Sequence, residues 1–203
     1  MARPRFAALR RRRAVAVLLA LLGLLTAAAP APPSRAVQRA NAARVLAWSQ
    51  RQLGVREATG RNDGPMMDAW LRLVGSPRFS PWCGAYQGAG QQASALPMPA
   101  GAGAARSWTL PQSARTYYLR GLRGSVDSLQ PGHQVTFYYP NLGRIGHVGR
   151  ALSPTRALLR GRPARGWVVN EGNTGSGGGR EGAGVHNITH AASDIYGAAN
   201  WLY

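Results

Sequence analysis

The chain has no lysine, a single cysteine and only seven acidic residues among its 203 positions, and each shortage closes off a possibility. One cysteine, Cys83, cannot form an intramolecular disulfide, so a hydrophobic core has to hold the fold. The length and the 45% hydrophobic content allow one domain with such a core. Internal repeats and heptads are missing, which excludes a solenoid, a propeller or a coiled coil. The longest apolar run, Ala14 to Ala29, has sixteen residues and falls short of the roughly 20 needed to span a bilayer. All 25 basic residues are arginines, scattered along the chain rather than gathered into a stripe. A GC-rich coding bias accounts for part of this charge, and nucleic acid is not the expected partner.

What is present begins with an export signal. MARPRFAALRRRR is a basic opening, the apolar run follows it, and Ser34-Arg35-Ala36 has the small-x-small pattern that signal peptidase reads. A cut after Ala29 would leave the disfavoured Pro30 next, so cleavage after Ala36 is expected. The chain then divides into a leader over residues 1–36 and a domain over 37–203, with an uncleaved membrane anchor as the alternative. The leader holds seven of the arginines and no acid, which takes the formal charge of the remainder from +18 to +11. That excess suits an anionic polymer such as cell-wall material. A secreted or periplasmic location follows, and there cysteines ordinarily occur in pairs. An unpaired Cys83 is a link to a partner molecule, a buried inert thiol or a reactive nucleophile.

Periodicity places helices first. Val37 to Leu53 repeats its apolar residues on one side and ends at Gly54; Pro65 opens a second helix whose stripe is Met67, Trp70, Leu71 and Val74. A third runs from Cys83 to Ala95, although Gly84, Gly88 and Gly90 each cost about 1 kcal/mol against alanine. Ser113 to Leu122 reads as a short helix bearing Tyr117 and Tyr118. From Pro131 the pattern becomes strands: Gln134 to Tyr139, His147 to Leu152, Gly166 to Asn170, Val185 to Thr189 and Ile195 to Leu202, separated by glycine-rich turns. Helices followed by an antiparallel sheet make an α+β domain.

The chemistry gathers around the thiol. A helix start stabilises a thiolate through its free N–H groups and positive dipole end, and Cys83 in SPWCGAY sits at one. His147 in RIGHVGRA opens a strand between glycines that permit close approach of another backbone, so it is the candidate base. Glu171 and Asn173 in VVNEGNTG end the next strand, two apart and hence on one side if the strand continues, where either can accept the second ring N–H and fix its tautomer. Singly, these are a buried thiol, a core histidine and a turn. Together, in this order, they form a papain-like arrangement reduced to a small domain.

SPWCGAY, PGHQVTFYY, IGHVGRA, VVNEGNT and DIYGAANW resemble, in order and spacing, the cysteine, histidine-dependent amidohydrolase/peptidase (CHAP) family of cell-wall hydrolases, and the resemblance covers roughly Ala42 to Trp201. It implies that Cys83 attacks an amide of peptidoglycan, that His147 is base and then acid, and that Glu171 or Asn173 orients it. The family branch often has a second cysteine where this chain has Gly90, and an aspartate where it has His133. Trp82, Tyr86 and Trp108 are candidates to line the substrate groove, with core packing as the competing role. His186 and His190 would make a metal pair only on a helix, and VHNITH reads as strand, so no metal or organic cofactor is expected. A monomer is expected, touching a membrane only through its N-terminal segment. Two rivals remain: a non-catalytic wall-binding module with an idle thiol, and an anion-binding protein that works through its arginines.

Overall fold

The computed structural model describes residues 32–203, so the basic and apolar leader sequence lies outside the described residues. Those residues hold three α-helices, α1 (Arg35–Arg51), α2 (Pro65–Leu73) and α3 (Cys83–Ala93), followed by six strands. The strands are β1 (Thr116–Leu119), β2 (Gln134–Tyr139), β3 (Arg144–Leu159), β4 (Arg162–Thr174), β5 (Gly184–Ala191) and β6 (Gly197–Ala199). They form one antiparallel sheet in the order β1-β6-β2-β3-β4-β5. The protein is therefore α+β. No described helix is long and apolar enough to cross a membrane.

Local chemistry sets the helix ends. Ser34 caps α1 by accepting from the backbone N–H of Val37, so the expected leader boundary at Ala36 falls inside the first turn of this helix. Pro65 opens α2, where its missing N–H has no cost. In α3 the glycines are packing devices: a Cβ on Gly84 would lie 2.4 Å from the Ala102 carbonyl oxygen, and one on Gly90 would lie 2.9 Å from the Trp48 ring. Small residues let the helix sit against the 101–105 segment on one side and α1 on the other.

Two departures from local pattern have physical causes. Ser113 to Leu122 contains strand β1 rather than a helix, because TYYL, rich in β-branched and aromatic residues, pairs with the C-terminal strand β6. The β3–β4 hairpin also runs on past its expected ends to a tight turn at Arg160 and Gly161, both with positive φ. Pro154 and Pro163 fit there because each strand is paired on one edge only at that distance: β2 contacts β3 no further than Arg150, and β5 contacts β4 only from Gly166.

Helices and sheet meet in a core of Met67, Trp70, Leu71, Trp82, Tyr86 and Val185, where Trp48, Trp70, Trp82 and Tyr86 pack ring on ring at 5.1–6.3 Å. A second cluster joins Val135, Phe137, Ala151, Trp167 and Val169 of the sheet to Leu129 and Ile195 of its connections. Between the layers lies Arg150, fully buried. Its guanidinium donates to the Gly132 carbonyl at 3.1 Å, and the Gln134 amide oxygen, in the orientation that satisfies both groups, accepts from it at 2.7 and 3.1 Å.

Candidate active site

Cys83 is the first residue of α3, held there by a clamp that reaches from the far side of the chain. The Asn173 side-chain oxygen accepts from the backbone N–H of Trp82 at 3.0 Å, and Glu57 accepts from the Trp82 indole N–H at 2.7 Å. Asn173 also donates to Asn62 at 2.9 Å and to the Gly182 carbonyl at 3.1 Å, so the loop at 57–62, the start of α3 and the end of β4 are joined through one amide. Asn173 is in the left-handed region at φ 60°, and a register shift separates Glu171 from Thr174. This bulge turns Asn173 away from the direction a continuing strand would give it. Glu171 and Asn173 therefore have separate roles, and only Glu171 contacts His147.

His147, on β3, is buried, and its Nε2 lies 3.0 Å from Glu171 Oε2. Gly149 makes the space, since a Cβ there would meet the Glu171 side chain at 2.8 Å and Val169 at 2.5 Å. With Nε2 engaged, the nitrogen left to serve Cys83 is Nδ1, which is buried and has no hydrogen-bond partner among the described residues. Burial alone would raise the thiol pKa, but hydrogen bonding and charge from His147, with the backbone N–H groups of Val148 and Gly84, outweigh it and bring Cys83 below its ordinary value. The same balance lifts His147: burial opposes its charge, and the Glu171 carboxylate followed by Cys83 more than restores it. Glu171 is held down against its own burial, chiefly by the His147 charge. All three shifts favour a thiolate beside an imidazolium that is anchored by a carboxylate.

His190, on β5, completes the group. Its Nε2 lies 2.5 Å from Glu171 Oε1, so each carboxylate oxygen has its own histidine, and the His190 ring packs against Phe137 in a tilted pair with centroids 4.3 Å apart. The sequence offered His190 only as a metal pair with His186, which a strand disfavours; its contact with Glu171 depends on side chains reaching across the sheet and leaves no local signal. Among the described residues no group of three His, Cys, Asp or Glu side chains is arranged to hold a metal ion.

The aromatic candidates do not line a groove. Trp82, Tyr86 and Trp108 are each 0% exposed and belong to the core, where Tyr86 donates to Asn170 at 2.6 Å and the Trp108 indole donates to the Ala102 carbonyl at 2.9 Å. Large rings at this junction of helices and sheet bury more area than they could offer a substrate. The ring that does neighbour the site is half-buried Tyr139, whose phenol is pushed up to about 12 by burial and by the charges of Glu171 and Cys83. Cys83 itself is 4% exposed. Searches against known protein families, curated proteins and solved structures return no match for this chain.

Proposed function

We propose that this protein is a secreted thiol amidohydrolase of the CHAP type, built on a papain-like frame, that cleaves an amide bond of peptidoglycan. The supporting observation is the buried His147–Glu171 pair beside a thiol whose ionisation it favours. The substrate class comes from the resemblance carried by SPWCGAY, IGHVGRA and VVNEGNT, together with the export-type leader and the excess of positive charge.

In this mechanism the Cys83 thiolate attacks the carbonyl carbon, and the charge on the carbonyl oxygen is met by the Cys83 backbone N–H, one of the donors a helix start leaves free. The His147 imidazolium gives its proton to the departing amine as the C–N bond breaks, which leaves a thioester and a neutral ring. That ring takes a proton from water, the resulting hydroxide attacks the thioester, and the thiol departs as thiolate with His147 charged again. Glu171 keeps the ring in one tautomer throughout and lowers the energy of its charged form.

One observation favours the rival reading of a wall-binding module with an idle thiol: the 4% exposure of Cys83. Digestion of purified peptidoglycan separates the two. The hydrolase gives new amine and carboxyl ends detectable by mass spectrometry, lost in Cys83→Ala, whereas a binding module gives wall association without new ends in either protein. Intact mass of exported protein tests the leader, and a species that begins at Met1 and stays in the membrane would establish the anchor instead.

A further inference from the structure

A cavity of about 620 Å³ includes none of Cys83, His147 and Glu171. One wall is α1, through Arg39, Ala42 and Leu46; the other is the turn before β2, through Gln130 and His133, with Leu202 of the C-terminal segment. The walls are fixed against each other at their base, where Gly132, at φ 90°, approaches Ala42 so closely that a Cβ would lie 2.9 Å from the alanine side chain. The volume is in the range of small-molecule sites.

Of the polar side chains lining this space, Gln38 and Asn200 bond each other and their neighbours, which leaves Arg35, Arg39, Gln130 and His133. His133 is only 7% exposed. Its Nδ1 is 3.3 Å from the backbone N–H of Gln130, which can only donate, and 2.8 Å from the Tyr117 hydroxyl. Nδ1 is thus the acceptor and the ring proton sits on Nε2, which has no partner among the described residues. Burial keeps the ring neutral by pushing its pKa down to about 4. Arg39 is exposed on the adjacent helix and makes no ion pair among the described residues, and no acidic residue lines the cavity. A ring N–H donor beside a guanidinium repels cations and offers a metal no lone pair. It matches a planar oxyanion, while Ala42, Leu46 and Leu202 supply an apolar floor for whatever carries it.

We propose that this cavity binds a carboxylate on a short apolar body, such as the free end of a peptide, with His133 Nε2–H and Arg39 as the donors to the carboxylate. Arg35 also lines the space, but cleavage after Ala36 would remove it and leave the Val37 α-ammonium, so Arg39 is the lining cation side chain present in either form. Nothing here depends on the chemistry of Cys83.

The test is an NMR titration of the isotope-labelled protein with three probes: acetyl-alanyl-alanine, its C-terminal amide, and inorganic phosphate. The free acid should give saturable shifts at the His133 ring and at Gln130 and Leu202, and the amide should not. Affinity should fall about tenfold in Arg39→Gln and again in His133→Phe, the loss expected for one charge-assisted donor. Arg39 is exposed, so its variant keeps the test valid even if His133→Phe misfolds. Cys83→Ala should bind as the parent does, which separates this site from the hydrolase reading. No saturable shift with the acid at tens of millimolar would overturn the proposal, as would equal binding of acid and amide, or phosphate that competes as well as the acid.

Discussion

Glu171 carries two histidines, one on each carboxylate oxygen, and this asymmetry of partners defines what each substitution should do. Glu171→Gln removes the charge that lifts His147, so His147 loses its proton at lower pH and Cys83 ionises at higher pH. The window in which thiolate and imidazolium coexist should narrow from both sides, read as the pH dependence of Cys83 alkylation and of turnover. Asn173→Ala should behave differently. It removes the acceptor of the Trp82 N–H and destabilises the fold by about 1–3 kcal/mol without moving the thiol ionisation, since its side chain touches neither Cys83 nor His147. A shift of that pH in Asn173→Ala, with none in Glu171→Gln, would reverse the two roles. His190 is a positioning residue: His190→Leu should lower kcat about tenfold at unchanged KM by freeing Glu171 Oε1, and His190→Gln, which keeps an N–H donor, should recover part of it.

At the scale of elements, α3 tolerates its glycines for reasons that differ along its length. Gly84→Ala would drive a methyl group into the carbonyl oxygens of Ala102 and Gly103, at 2.4 and 2.5 Å, and backbone atoms cannot turn aside. It should cost about 1–3 kcal/mol in urea denaturation and disturb the N–H beside Cys83. Gly90→Ala meets side chains rather than backbone, the Trp48 ring at 2.9 Å and the Arg150 guanidinium at 3.4 Å, and gains about 1 kcal/mol of helix propensity. Its net effect should be near zero. A Gly90 variant as damaging as the Gly84 one would mean that Trp48 is fixed. The space that a side chain at position 90 would take is thus filled by an indole from α1.

For the whole molecule, the Cys83–His147 pair sets an unusual dependence of stability on pH. Between about pH 6.5 and 9, the ordinary values of the two groups, the unfolded chain holds one proton, on the thiol. The folded chain also holds one, on the imidazole, wherever the lowered Cys83 has ionised and the raised His147 has kept its proton. Where the counts are equal, this pair leaves stability independent of pH. Cys83→Ala breaks the balance. Glu171 still holds the His147 pKa up, so folding takes up a proton; the stabilisation is full below the unfolded value of 6.5 and is lost as pH rises toward the folded one. Unfolding free energy in Cys83→Ala should therefore fall relative to the parent as pH rises, over the range in which the parent's Cys83 is ionised and its His147 charged. Parallel curves would show that the parent holds a neutral thiol and imidazole.

The sequence determined whatever rests on neighbours along the chain. The 3.6-residue stripes gave α1 and α2, strand-forming runs between glycine-rich turns gave most of the strands, and the helix start placed Cys83 ahead of a strand bearing His147 and another bearing Glu171. Because β3 and β4 are consecutive and antiparallel, that order already implied that the histidine and the carboxylate could meet. Tertiary structure decided the rest. β6, from the C-terminus, inserts between β1 and β2, and that pairing makes Ser113 to Leu122 a strand region instead of a helix. The bulge after Glu171 separates its role from that of Asn173, and His190, which faces Trp167 in the β4–β5 register, reaches the same carboxylate. Trp82, Tyr86 and Trp108 look like groove residues in sequence because an aromatic side chain suits a core and a binding face equally well; only the packing of α3 against the sheet chooses. Local pattern fixes backbone conformation within a few residues, whereas register, bulges and burial depend on contacts between segments far apart in the chain, and these carry no local period to read.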